Sequence, residues 1–224
     1  MSAPAWERSL EVHTAAQTHA LAAALGAVLE TGDLLVLTGE LGAGKTTFTQ
    51  GLGEGLGVRA GIISPTFVLV RIHPNLPGGP RPGGPDLVHV DAYRLESAAE
   101  IDDIDLENTM DSAVTVVEWG RGRVEHLSDS RLEVELHRTR GGAAASAETP
   151  ETPAETGASP VLDFDTDDDD EPRTVVIRGF GPRWAEAPTL PGAGPGHVVQ
   201  PLPETTPGAE TTPGTTPQTP ERNP

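Results

Sequence analysis

Leu34-Leu-Val-Leu-Thr-Gly39-Glu-Leu-Gly-Ala-Gly44-Lys45-Thr46 decides the fold. Its opening run, Leu34 to Leu37, has strand length and is apolar on both faces, as a central strand of a parallel sheet is. From Gly39 to Thr46 the chain fits G-x-x-x-x-G-K-[ST] at every fixed position. Glycines let successive backbone N–H groups turn inward around phosphates, and a helix opening at Lys45 presents its positive end to the same anion. A lysine here reaches the β- and γ-phosphates as a mobile point charge, and the Thr46 hydroxyl suits Mg2+. The pattern arises by chance in a chain of this length about once in several hundred. Strand, glycine turn and helix in this order point to a nucleoside triphosphate site.

Working outward, Lys45 to Leu56 reads as a helix with Phe48 and Leu52 on one face. Upstream, Ser9 to His13 is short and strand-like, and Thr14-x-x-Gln17 is a capping box. Leu21, Ala24, Leu25, Val28 and Leu29 recur at helical spacing, which predicts an amphipathic helix ending near Thr31-Gly32. Downstream, Thr66 to Ile72 and Leu87 to Val90 read as strands separated by a loop insertion, 74–85, with five prolines and four glycines.

A triphosphate site needs carboxylates to hold Mg2+ and order water. Leu87-Val-His-Val-Asp91 and Val114-Thr-Val-Val-Glu118 both end in an acid, where α/β sheets place their ligands. A single acid there is sometimes only a turn residue; two in matching places point to the metal and water. Thr66, in Ser64-Pro-Thr-Phe67, reads equally as a γ-phosphate-sensing switch or as an ordinary threonine at the start of a strand.

Composition sets the limits. The chain has 224 residues, a formal net charge of −19 and no cysteine, which removes disulfides, thiolate catalysis and thiolate metal sites. Of its 15 basic residues only Lys45 is a lysine. No apolar run approaches the roughly 20 residues that span a bilayer, and no leader pattern opens the chain, so a cytoplasmic protein without membrane contact is expected. The acidity opposes unaided binding of nucleic acid.

Fifteen of the 22 prolines fall in the last 86 residues, amid repeated Thr-Pro and Glu-Thr. Residues 139–171, with the acidic run Asp167 to Glu171, and 188–224 are expected to be disordered. Between them, 172–187 supplies a final strand and turn, with Thr174 to Ile177 pairing with Arg131 to Leu136 across the insertion. The fold expected over 9–138 plus 172–187 is a three-layer α/β/α P-loop NTPase domain with a mainly parallel sheet.

Gly39-Glu-Leu-Gly-Ala-Gly-Lys-Thr-Thr, Ser-Pro-Thr-Phe at 64–67, His-Val-Asp-Ala-Tyr-Arg at 89–94 and Val-Glu-Trp-Gly at 117–120 together resemble the TsaE (YjeE) family. The resemblance covers 9–138 and 172–184 and implies antiparallel edge strands. It implies a small ATPase of the machinery that makes N6-threonylcarbamoyladenosine beside the tRNA anticodon, with the proteins TsaD and TsaB as partners and tRNA met only through that complex. By the same resemblance Leu41, Gly42, Ala43, Gly44, Lys45 and Thr46 bind ATP phosphates, and Thr46 and Glu118 ligate Mg2+. Asp91 acts near the metal or the attacking water, and Thr14 lies close to the nucleotide. Trp119 and Tyr93 match family positions, and their packing under the site is an equal reading. Arg94 either compensates γ-phosphate charge or pairs with Glu96, and Arg173 is a weaker nucleotide candidate. Arg121, after Glu118-Trp-Gly, stands where many relatives have an acid.

Three activities fit to different degrees. The first is an ATPase that resets the TsaD/TsaB synthase after each modification, slow when alone. The second is a nucleotide-gated adaptor whose hydrolysis is incidental. The third, a small-molecule kinase, needs an arginine-bearing lid, for which Arg121 and Arg123 are meagre.

Overall fold

β2 (Leu34–Gly39) is the middle strand of a seven-stranded sheet in which the other strands are β1 (Trp6–Val12), β3 (Val70–His73), β4 (Asp86–Asp91), β5 (Ala113–Glu118), β6 (Arg131–Arg138) and β7 (Arg173–Phe180). The computed structural model describes residues 3–95, 97–104, 106–138 and 171–190. Strand order is β1-β7-β6-β2-β5-β4-β3. β6, β2, β5 and β4 pair in parallel, while β7 runs antiparallel to β6 and β1, and β3 antiparallel to β4. The expected mainly parallel, mixed sheet is present.

Alternation along each strand makes two cores. Leu35, Leu37, Leu87, Val114, Val116, Leu132 and Val134 face α1 (Ala15–Gly26) and α2 (Lys45–Leu56), packing with Leu25, Phe48 and Leu52. Leu34, Val36, Val88, Val90 and Val117 face the other way, under Ile101 of α3 (Ala98–Asp102) and Met110 of α4 (Glu107–Met110). This third layer is short helices and loop, and it covers β2, β5 and β4. Across β6, β7 and β1 that face instead carries a charged ladder. Arg178 donates to Glu7 at 2.5 Å and to Glu135 at 2.8 Å, and Arg121 donates to Glu135 at 2.9 Å.

α1 and α2 cross unusually closely because their contact is built on glycine. A Cβ on Gly51 would run into the His19 carbonyl, one on Gly55 into the Ala23 carbonyl, and one on Gly26 into the Leu52 carbonyl.

Several boundaries differ from expectation. α1 stops at Gly26 rather than near Thr31-Gly32, because the N–H groups of Val28 and Leu29 tighten onto the Leu25 and Gly26 carbonyls. That twist buries Leu29 and leaves Val28 exposed. The capping box is displaced: Thr14 accepts from the Gln17 N–H at 3.1 Å, while the Gln17 side chain reaches the His13 N–H at 2.7 Å. β3 begins at Val70, not Thr66, since the Pro65 carbonyl accepts from Val68 and Leu69 and closes a turn in which Leu69 adopts φ 65°.

The 74–85 segment is a loop, pinned by Arg81 Nη1 to the Leu29 carbonyl at 2.6 Å and by Asn75 N–H to Asp86 Oδ1 at 2.7 Å. β6 and β7 form the expected hairpin, in the register Leu136↔Val175. Disorder was expected for Glu171 and for 188–190, yet Glu171 pairs with Arg138 Nε at 2.8 Å, Arg8 Nη1 donates to the Pro188 carbonyl at 2.7 Å, and Leu190 is buried. The remainder of that expectation, 139–170 and 191–224, lies outside the described residues.

Two outcomes follow from these contacts. Alanine in a helix normally gains about 1 kcal/mol over glycine, whereas forcing a Cβ against a backbone carbonyl costs about 1–3 kcal/mol. Gly55→Ala is therefore expected to lower the denaturation midpoint, and an unchanged or raised midpoint would show that the helices separate freely. The Arg121 and Arg178 guanidinium groups hold the Glu135 carboxyl down to about 2 from 4.5, so its contribution is present above pH 4.5 and lost as pH falls toward 2. Glu135→Gln is expected to cost about 1 kcal/mol at pH 7, with the gap to the parent closing over that acid range in denaturant titrations.

Candidate active site

The carboxyl ends of β2, β4 and β5 lie side by side in register: Leu37 is opposite Glu118, and Glu118 is opposite Asp91. The loop leaving β2 therefore opens directly beside two carboxylates. Gly39, Gly42 and Gly44 have φ of 152°, 74° and 96°, conformations that side chains with a Cβ rarely adopt. At Gly39 an added Cβ would also sit 2.7 Å from the Leu136 carbonyl. Leu41 is exposed at the apex and Ala43 is buried beneath it. Gly44 caps α2 with no side-chain partner for the first turn's N–H groups, and Lys45 and Thr46 begin the helix.

Lys45 is only 6% exposed. Its Nζ donates to the Gly39 and Glu40 carbonyls, both at 3.0 Å, and lies 4.1 Å from the centre of the Trp119 ring. Burial pushes the ammonium below its ordinary 10.5, and the Glu118 and Asp91 carboxylates push back without overcoming it. Neutral carbonyls are weak partners for a cation compared with an anion, so this ammonium is available for exchange onto a more negative ligand.

Asp91 is buried, and its carboxylate is saturated on one side. Oδ2 accepts from Thr66 Oγ1 at 2.6 Å and from Ser64 Oγ at 3.2 Å, while Oδ1 accepts from the Tyr93 N–H at 3.0 Å. Thr66 thus lies in a turn and reaches the candidate acid; the reading of it as a strand-opening threonine is incorrect. Glu118 is equally buried, with Oε1 2.9 Å from His89 Nε2. The two non-glycine residues with positive φ among the described residues both adjoin these acids. Trp119, at 61°, follows Glu118, and Leu69, at 65°, accepts the Asp91 N–H through its carbonyl. Such backbone costs about 1–3 kcal/mol and concentrates at functional sites.

Other expected residues fall as follows. Tyr93 packs edge-on to Trp119 at 5.5 Å, so the two rings form one wall beside Lys45. Arg94 lies over the Phe67 ring at 5.3 Å, and Glu96 is outside the described residues. Arg173 is buried, donates from Nη1 to the Glu171 carbonyl at 3.1 Å, and has an unpartnered Nε near Gly44. Arg121 is taken up by Glu135, and Arg123 donates to the Ala92 and Trp119 carbonyls, so neither arginine forms a lid. The described hydrogen bonds of Thr14 run into α1, where it caps the helix.

Sequence reading overlooked His89 as a partner of Glu118 and Arg138 as a neighbour of the loop, where a Cβ on Gly42 would come 3.3 Å from its Nη1. A polar residue two places before an acid, on the same face of an apolar strand, is the signal for His89. Arg138 sits at the edge of the insertion and carries no such signal.

The model of the family described as "Threonylcarbamoyl adenosine biosynthesis protein TsaE" matches residues 12–145, more than half of the chain. A Streptomyces coelicolor protein named tRNA threonylcarbamoyladenosine biosynthesis protein TsaE is 45% identical over 164 residues, covering 73% of this chain and 90% of its own length. The protein of the same name from Bacillus subtilis is 38% identical over 123 residues, covering 54% of this chain and 72% of its own. The crystal structure of Bacillus subtilis YdiB superposes with a TM-score of 0.52 over 80% of this chain and 88% of that one, at 24% identity, a likeness that speaks for the fold alone. On the strength of the family match and the Streptomyces relative, with a glycine loop and two strand-end acids set as described, the chain belongs to the TsaE family.

Proposed function

We propose that this chain binds ATP with Mg2+ at the 39–46 loop and hydrolyses it, and that turnover serves the formation of N6-threonylcarbamoyladenosine beside the anticodon of tRNAs by resetting a synthase made of TsaD and TsaB. The observation that carries the reading is the register Leu37↔Glu118↔Asp91, which brings a phosphate-loop lysine and two buried carboxylates to one end of the sheet. The relatives' shared name, with its reference to tRNA threonylcarbamoyladenosine biosynthesis, supports the pathway.

In this reading the amides of Leu41 to Thr46 receive the phosphate oxygens, and Lys45 Nζ leaves the Gly39 and Glu40 carbonyls for the β- and γ-phosphates. The Thr46 hydroxyl and a Glu118 oxygen would hold the metal. Asp91, kept in place by Thr66, Ser64 and the Tyr93 amide, accepts a hydrogen bond from the attacking water and orients it.

The donor set fits Mg2+. It is made of hard oxygens, and the described residues contain no group of three or more His, Cys, Asp or Glu that would hold a metal by themselves. Mg2+ usually takes one or two carboxylates and completes its shell with substrate phosphates and water. When bound, the ion supplies charge neutralisation on the β- and γ-phosphates.

The charge balance supports an ATPase that meets tRNA through protein partners. A net charge of −19 opposes direct contact with a tRNA backbone. Among the described residues no helix is long and apolar enough to cross a membrane.

The test is ATP hydrolysis by the purified chain alone and with TsaB and TsaD, with Lys45→Ala as the control. Slow turnover alone, stimulation by the two proteins, and a loss on the order of 100–1,000-fold in the variant are expected. Rapid hydrolysis by the isolated chain with no gain from the partners would overturn the reading.

A further inference from the structure

His89 is a fully buried imidazole in an otherwise apolar run, Leu87-Val-His-Val90. In the β4–β5 register it stands opposite Val116, so its 2.9 Å contact with Glu118 Oε1 is diagonal, between residues on the same face. A carboxylate only accepts hydrogen bonds, which assigns the proton of this bond to His89 Nε2. The other ring nitrogen, Nδ1, is buried with no hydrogen-bond partner, and the His73 ring lies 6.3 Å away between centroids.

As a packing residue His89 is a poor choice. A buried polar atom without a hydrogen bond carries a penalty that leucine or valine, the types found at Leu87 and Val116, would avoid. What the imidazole provides that an aliphatic side chain does not is a single N–H aimed at Glu118. Glutamate has three rotatable side-chain bonds, and its rotamer entropy is among the largest to be lost on ordering.

We propose that His89 is a positioning residue for Glu118: its Nε2–H fixes Oε1, so that the carboxylate is already oriented, with Oε2 left to the metal, before the ion arrives. The proposal rests on the reading of Glu118 as an Mg2+ ligand given under Proposed function. It follows the rule that partners of metal ligands set ligand orientation, and that losing one weakens metal affinity roughly 10–100-fold.

The experiment uses the full chain with Mn2+ as the probe, its binding followed by electron paramagnetic resonance in the presence of a non-hydrolysable ATP analogue. Binding of the analogue without metal and thermal unfolding are measured alongside. His89→Leu is expected to keep the fold and the metal-free nucleotide affinity, and to weaken Mn2+ binding roughly 10–100-fold. His89→Gln, which retains an N–H within reach of Glu118, is expected to recover much of that loss; a purely structural role would not follow the donor in this way.

Parent-like Mn2+ affinity in a folded His89→Leu protein overturns the proposal. Should the leucine variant not fold, His89→Met and His89→Gln carry the comparison: tighter Mn2+ binding in the glutamine variant supports positioning, and equal affinities overturn it. Glu118→Gln separates the two readings. If it weakens Mn2+ binding while His89→Leu does not, only the positioning role fails; if it too binds as the parent does, the metal role of Glu118 fails and the positioning role with it.

Discussion

Parallel pairing of β2, β5 and β4 is the constraint on which the rest depends, because it sets three strand ends level. Leu37 opposite Glu118, and Glu118 opposite Asp91, leave the glycine loop no direction but over the two acids. A slip of one residue in either pairing would turn one carboxylate to the opposite face of the sheet. Both faces are apolar, so what opposes that slip is the fit of each side chain to its own core rather than an apolar–polar alternation. Leu35, Leu37, Val114 and Val116 on one side, and Leu34, Val36 and Val117 on the other, each have a core to lose.

The glycines of the α1–α2 crossing serve the same end at longer range. α2 is the helix that begins with Lys45 and Thr46, and its approach to α1 through Gly51 and Gly55 fixes where its first turn lies. Charge is then concentrated where water is scarce. Lys45, Asp91 and Glu118 are all nearly buried, and each is held by bonds that differ in strength. The carboxylates are held by hydroxyl, imidazole and backbone N–H groups, whereas the ammonium has two neutral carbonyls and the face of Trp119. The group expected to move on nucleotide binding is the one with the weakest partners, and the groups expected to stay are the ones tied down.

Much of this was legible in the sequence, for physical reasons that can be named. The run Leu34 to Leu37, the glycine spacing and the helical pattern of Phe48 and Leu52 are local signals, and β2 and α2 fall where they indicate. The acids at 91 and 118 were visible because each ends an apolar run. The departures all involve a partner remote in sequence or a turn set by backbone. β3 starts late because Pro65 and Leu69 close a turn, and α1 stops early because the chain after Gly26 tightens and tucks Leu29 into the core. The second helical layer is thinner than the three-layer expectation, since α3 and α4 are short and β6, β7 and β1 rely on the Glu7–Arg178–Glu135–Arg121 ladder instead. His89 escaped notice because its meaning lies in a diagonal contact with another strand.

Whether the loop and the two strand-end acids form one triphosphate site is read most directly from a crystal structure of the full chain with Mg2+ and a non-hydrolysable ATP analogue. Lys45 Nζ is expected to have moved from the Gly39 and Glu40 carbonyls onto β- and γ-phosphate oxygens, and Thr46 and Glu118 would ligate the metal. A nucleotide bound elsewhere, or a bound triphosphate with Lys45 still on those two carbonyls and no metal at Glu118, would contradict that expectation.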